Sequence, residues 1–268
     1  GMHNLCRARV PVLLIAGRAP MSTFDATLGG RDTYVHFIQE PFDQASLVRP
    51  YVKWEYNLGW PSMAHEIVSR ATGVMHSDPM GPVYLTLPRE ILAAPVDEAS
   101  LGVYGRPSHS PVKALGADPE QIEHIADRLL ESEYPMMVTA YAGRNHAAVS
   151  VIEALAEFGG IRVCEFNTVD LNIRRDSPFF AGYNPGVHTE QADFGLMVDV
   201  DVPWIPKTTR VHPQAYWAQF DVDAIKRHIP IWGFPLQDRI EGNSVRLLTQ
   251  LLSALKAKAT PAFKDKVT

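Results

Sequence analysis

Apolar residues run unbroken from Val10 to Ala16, lose any sustained period between Gly17 and Trp60, and return at helical spacing in Met63, Ala64, Ile67, Val68, Ala71, Val74 and Met75. The unbroken run predicts a strand covered on both faces. The spaced positions predict a helix capped by Ser62 and stopped at Asp78-Pro79, after which Val83 to Leu87 predicts a second strand. The aperiodic stretch, with a short helix expected near Asp43 to Val48, is long for a connection, and such lengths are either functional or wrap a partner. From 95 to 115 the pattern gives way to Pro95, Gly102, Gly105, Pro107 and Pro111, which predicts an interdomain linker between a domain at 1–94 and one at 116–258. In the second domain Asp118 followed by Pro119 marks a helix start, with Ile122, Ile125, Ala126, Leu129 and Leu130 on its buried face. Strands at Met136 to Ala140, Arg162 to Phe166, Phe194 to Val200 and Tyr216 to Val222 follow, with a helix at Ala147 to Phe158 and a last one capped by Asn243. Repeated βα units predict an α/β fold with a parallel sheet and helices on both of its faces, then a tail at 259–268.

Composition narrows the partners. The chain has 268 residues, 46% of them hydrophobic, and a net charge of -5, with Lys and Arg scattered, so no basic stripe points to nucleic acid or an anionic membrane. No stretch reaches the roughly 18 apolar residues of a membrane span. Cys6 and Cys164 fall in different domains at no metal-ligand spacing, which fits a reducing cytoplasm and argues against zinc. Arg7 and Arg9 before the first apolar run imitate a signal peptide, but the run is short and no small-x-small cleavage pattern follows. Gly1 before Met2 reads as a tag remnant, so the gene product is expected to begin at Met2.

Four ordered segments carry a resemblance: Val-Pro-Val-Leu-Leu-Ile-Ala-Gly (10 to 17), Phe-Ile-Gln-Glu (37 to 40), Arg-Pro-Tyr-Val-Lys (49 to 53) and Gly-Pro-Val-Tyr-Leu-Thr-Leu-Pro-Arg-Glu (81 to 90). With a later Phe-Asp-Val-Asp-Ala-Ile-Lys (220 to 226), they resemble the acetolactate synthase-like family of thiamine-diphosphate-dependent enzymes. The resemblance implies the C-terminal half of the pyrimidine-binding domain followed by a Rossmann-like (DHS-like) central domain. It further implies decarboxylation and carbon–carbon bond formation on 2-oxo acids, with thiamine diphosphate and Mg²⁺ held at a dimer interface. The family's early glutamate is expected before residue 1. Its metal-anchoring Gly-Asp-Gly motif is expected after the central domain and does not occur here. This chain alone is therefore expected to be inactive and to self-associate. The alternatives are a non-catalytic nucleotide-binding or assembly module, or one part of a split enzyme whose partner carries the missing diphosphate-binding domain.

Carried over residue by residue, the resemblance places Arg18, Phe37, Gln39 and Lys53 near the substrate channel. Arg18 stands where many acetolactate synthases have glutamine, and a guanidinium or ammonium there suits a carboxylate. The alternative assigns Arg18 and Lys53 to surface or interface charge and Phe37 to the core. Gly143 and Arg144 could begin a phosphate-binding turn, and Asp221 and Asp223 lie where relatives place an acidic strand end near a flavin or nucleotide. Loop hydrogen bonding and capping account for the same residues. The Asp199–Asp201 and Asp221–Asp223 pairs invite a metal reading without supporting it, and His3, His36, His65 and His76 have no carboxylate or cysteine at ligand spacing. Pro203, Trp204 and Pro206 stiffen and fill a turn where the family has leucine-glycine, which argues against FAD.

Overall fold

The structure, a computed structural model, describes residues 1–23, 28–97, 99 and 109–267. The linker signals Gly102, Gly105 and Pro107 lie outside the described residues. The chain divides into two compact units, Gly1–Lys113 and Ala114–Thr268.

The first unit runs α1 (Met2–Arg7), β1 (Leu13–Arg18), α2 (Val35–Ile38), β2 (Trp54–Asn57), α3 (Ala64–Met75), β3 (Val83–Pro88) and α4 (Arg89–Ala93). Its three strands form a parallel sheet in the order β1-β3-β2, with Leu13 and Trp54 flanking Val83 and Arg18 flanking Pro88. Val83 and Leu85 pack against Ile67 and Ala71 of α3, joined by Leu13, Trp54, Tyr56 and Leu87. Ser62 does not cap α3. It lies in a 3-10 turn, Pro61–Met63, and Met63 takes the N-cap position without a side-chain bond. Nor is β1 covered on both faces: it is an outer strand of the sheet, and Ile15 is 51% exposed.

The second unit runs α5 (Pro119–Glu131), β4 (Pro135–Thr139), α6 (Ala147–Gly159), β5 (Arg162–Glu165), β6 (Phe194–Val198), β7 (Tyr216–Asp221), β8 (Asp238–Glu241), α7 (Ser244–Lys258) and α8 (Pro261–Val267). Both expected caps form. The Asp118 side chain accepts from Glu120 N at 3.0 Å, and Asn243 Oδ1 accepts from Arg246 N at 3.2 Å. All five strands are parallel, in the order β5-β4-β6-β7-β8. On one face Met137, Leu196, Ala218 and Phe220 meet Ile125 and Leu129 of α5, Ile152 and Leu155 of α6, and Leu248 and Leu251 of α7. Each of these side chains larger than alanine, fully buried, contributes about 1.5–3 kcal/mol of hydrophobic stabilisation.

The opposite face departs from the expected helices on both sides. Met136, Val138, Met197 and Trp217 are covered there by Trp204, Trp232, Phe234 and Leu236. The connections into β6 and β7 contain no α-helix among the described residues, so large aromatics from irregular chain do the covering. Trp204 packs against Trp217 with ring centroids 4.8 Å apart and planes inclined at 56°. The expected tail forms α8, whose Phe263 is buried and lies 6.3 Å from Phe158.

Candidate functional site

In the first unit the carboxyl end of the sheet carries the chemistry. Arg18 closes β1 and lines a cavity of about 450 Å³ with Gly17, Gln39, Glu40, Gln44 and Arg89. A second recess of about 290 Å³ shares Arg18 and Gln44 and is floored by Asn57, Tyr84 and Thr86. Gln44 holds the two together, its Nε2 donating to Gly17 O at 2.8 Å and to Tyr84 Oη at 3.0 Å. Arg18 Nη2 lies 3.6 Å from Glu40 Oε1, while Arg31 bonds the other oxygen of that carboxylate. The Arg18 Nε is buried and donates to no described residue. A guanidinium with spare donors at a cavity wall can take a carboxylate. Phe37, two residues before Gln39, is 55% exposed and lies under the Arg31 guanidinium at 5.2 Å.

Lys53 sits elsewhere. It precedes β2 and its backbone N–H bonds Pro82 O, whereas Arg18 is aligned with Pro88. Six residues of strand separate the two levels, about 20 Å at the rise of a β-strand. The Lys53 ammonium donates to Val74 O and Ser77 O, both at 2.7 Å, and so closes the C-terminal end of α3. Desolvation holds its pKa below the usual lysine value, against the opposite pull of Asp78. The structure thus brings Arg18 and Gln39 to one cavity, puts Phe37 beside it, and leaves Lys53 at the other end of the sheet.

In the second unit strand order reverses direction around β4: β5 lies on one side, and β6, β7 and β8 follow on the other. In such sheets ligands enter between the carboxyl ends where the reversal occurs. Gly143, Arg144, Asp221 and Asp223 all gather there. Gly143 N donates to Asn172 Oδ1 at 2.9 Å, and a Cβ on Gly143 would lie 1.8 Å from Leu171 O. Arg144 pairs with Asp199 at 2.6 Å. Asp221 accepts from Tyr141 Oη at 2.8 Å, Lys226 Nζ at 2.7 Å and Asp223 N at 2.9 Å. Asn167, Asp199 and Lys226, which follow β5, β6 and β7, have φ of 49°, 45° and 55°. Left-handed backbone in non-glycine residues is costly and clusters at functional sites. Tyr141, Asn172 and Lys226 were not singled out from sequence. Lys226 ends a recognised motif, but nothing local marks a lysine for burial.

Among the described residues no group of three His, Cys, Asp or Glu converges to hold a cation. With no Gly-Asp-Gly motif in the chain, the residues present do not fit Mg²⁺ and a diphosphate. Two histidines lie beside carboxylates: His36 Nδ1 is 3.2 Å from Asp32, four residues earlier on an exposed segment, and His124 Nε2 is 3.6 Å from Asp238. Cys164 is buried, and desolvation pushes its thiol up to about 12, so the thiolate needed for reactivity is scarce. No helix among the described residues is long and apolar enough to cross a membrane.

No protein-family model matches the chain. Oxalyl-CoA decarboxylase from Escherichia coli K12 is 28% identical over 163 residues, covering 59% of this chain and 27% of that enzyme. Benzoylformate decarboxylase from Polynucleobacter necessarius superposes with a TM-score of 0.76 at 18% identity, covering 95% of this chain and 46% of its own. A thiamine diphosphate-dependent 4-hydroxybenzoylformate decarboxylase from Rhodococcus jostii gives 0.74 at 19% identity, covering 97% and 48%. A Mycobacterium smegmatis protein assigned as thiamin diphosphate-dependent gives 0.74 at 21%, covering 95% and 47%. The chain has the fold of these thiamine-diphosphate-dependent enzymes, the fold that its motifs implied. It spans about half the length of these solved structures, and its match covers about a quarter of the curated relative.

Proposed function

We propose that this chain supplies the second half of a pyrimidine-binding domain and a central domain to a thiamine-diphosphate- and Mg²⁺-requiring, cytoplasmic enzyme. That enzyme decarboxylates 2-oxo acids and joins the resulting carbon unit to an acceptor, and the chain by itself is inactive. One observation carries the reading: the fold match to 2-oxo acid decarboxylases runs through both units, over 95% of the chain or more. Bound thiamine diphosphate supplies the carbanion chemistry. In this chain Arg18 is the group suited to orient a substrate carboxylate, with Gln39 as a neutral donor on the same wall. The test is carbon dioxide release from pyruvate and benzoylformate by the purified chain with thiamine diphosphate and Mg²⁺. No release above background is expected, and turnover by a sample free of host enzyme overturns the inactive reading.

Assembly is part of the same proposal. In the segment 28–47, which supplies Val35, Gln39, Gln44 and Leu47 to the Arg18 cavity, Leu28, Tyr34, Ile38, Phe42 and Leu47 are each at least 60% exposed and Phe37 is 55% exposed. Apolar surface concentrated in this way marks a contact face. Sedimentation is expected to show a dimer or larger species at micromolar concentration, whereas a monomer there speaks against self-association. Copurification of a chain carrying Gly-Asp-Gly would favour the split-enzyme alternative.

A further inference from the structure

The gap between the ends of β4 and β6, the natural entrance for a ligand in this sheet, is occupied by the protein itself. Ala140 N and Tyr141 N both donate to Asp199 O, at 3.2 and 3.0 Å, so the two strand ends are joined by backbone. Arg144 then bonds the Asp199 carboxylate at 2.6 Å and Tyr141 O at 3.0 Å. The next gap, toward β7, holds the ammonium of Lys226. It lies 2.7 Å from Asp221 Oδ2, 3.1 Å from Asp201 Oδ1 and 2.5 Å from Tyr141 Oη. Lys226 is 1% exposed, and Asp199 and Asp221 are fully buried.

We infer that Lys226 is a built-in occupant of this crevice, and that the second unit accordingly takes no adenine nucleotide or flavin dinucleotide there. A ribose hydroxyl needs a carboxylate oxygen open to donation. Asp221 instead receives Tyr141 Oη, Lys226 Nζ, Asp223 N and, at 3.3 Å, Val200 N. A pyrophosphate needs unengaged backbone N–H groups at the turn after the strand. Those of Ala140, Tyr141 and Gly143 are bonded within the chain, and Gly143 is pressed against Leu171 rather than facing open space.

The backbone of Lys226 supports the same conclusion. A lysine at φ 55° with a buried ammonium is unfavourable twice over, and glycine would relieve the first cost. Lysine is tolerated here because the fully buried Asp221 carboxylate, with the partly exposed Asp201 beside it, faces the same space, and an uncompensated buried charge there costs more than a strained cation. This inference does not rest on the proposed catalytic role.

Thermal unfolding of the whole chain tests it, with ADP and FAD as separate probes. A ligand at 100-fold its Kd raises the Tm of a protein of this size by about 5–10 °C. The expected shift with about 1 mM of either probe is under about 1 °C, and a saturable rise overturns the inference. Lys226→Gly is expected to lower the Tm by several degrees although it relaxes the backbone. An unchanged or higher Tm would mean that lysine does not brace the crevice. If that variant is insoluble, Lys226→Arg, which keeps the charge, is expected to fold and to retain the indifference to both probes. Nucleotide binding by it would also count against the occupant.

Discussion

Asp193 stands immediately before β6 and gathers the turn that leads from α5 into β4. Its Oδ2 accepts from Glu133 N at 2.7 Å, its Oδ1 accepts from Tyr134 N at 3.0 Å, and the Ser132 hydroxyl bonds the same carboxylate. Burial opposes ionisation of Asp193, but these three donors outweigh it and hold its pKa below the usual aspartate value. Asp193→Ala leaves the three donors without their acceptor. Hydrogen bonds to a charged group contribute about 1.5–3 kcal/mol each when shielded, and partial exposure here lets water replace some of that, so a total loss of roughly 2–4 kcal/mol follows. Because the folded pKa is depressed, the stabilisation is complete above the ordinary value of 3.8 and is lost as pH falls through the folded pKa. Urea unfolding of both proteins between pH 7 and about 2 measures this directly. The wild type is expected to lead at neutral pH and the two curves to converge below the ordinary aspartate pKa. Equal midpoints at pH 7, or a gap that persists undiminished into strong acid, would refute the reasoning.

The remaining predictions concern packing and the site. Gly195→Ala would put a Cβ 2.1 Å from Trp217, whose ring is fully buried and packed at a tilt against Trp204, so a loss of about 1–3 kcal/mol in urea unfolding is expected. Gln219 is fully buried and neither side-chain amide atom has a partner among the described residues, so Gln219→Met is expected to raise stability by about 1 kcal/mol, with a loss showing that the amide is satisfied after all. In the enzyme proposed above Arg18→Ala is expected to raise KM for a 2-oxo acid about tenfold, the loss of one charge-assisted bond, while Lys53→Met leaves KM unchanged. A KM effect confined to Lys53→Met would reverse the assignment of these two cations.

Elements whose signals are local could be read from sequence. Asp118-Pro119 and Asn243 start helices because a side-chain oxygen reaching two or three residues onward needs no tertiary partner. The long apolar strands were equally legible, since β4, β6 and β7 are buried on both faces throughout. β2 and β8 were not foreseen: Trp-Glu-Tyr-Asn and Asp-Arg-Ile-Glu hold no two adjacent apolar residues, unlike the Val-Cys of equally short β5, and each pairs with a longer strand that offers it a ladder. Ser62 failed as a cap because Pro61 opens a 3-10 turn that carries it past the capping position.

The candidate sites divide in the same way. Sequence motifs placed Arg18, Gln39 and Lys53 within one family pattern, but only strand direction separates Arg18 at the carboxyl end of the sheet from Lys53 at its amino end. The contact between Lys226 and Tyr141 joins residues 85 apart, and that with Asp201 joins residues 25 apart. Chain composition and periodicity decide which segments become strands and helices, because those preferences act over a few residues. Which charges share one buried space is decided by strand order, because the sheet alone brings the ends of distant strands together and removes the water between them.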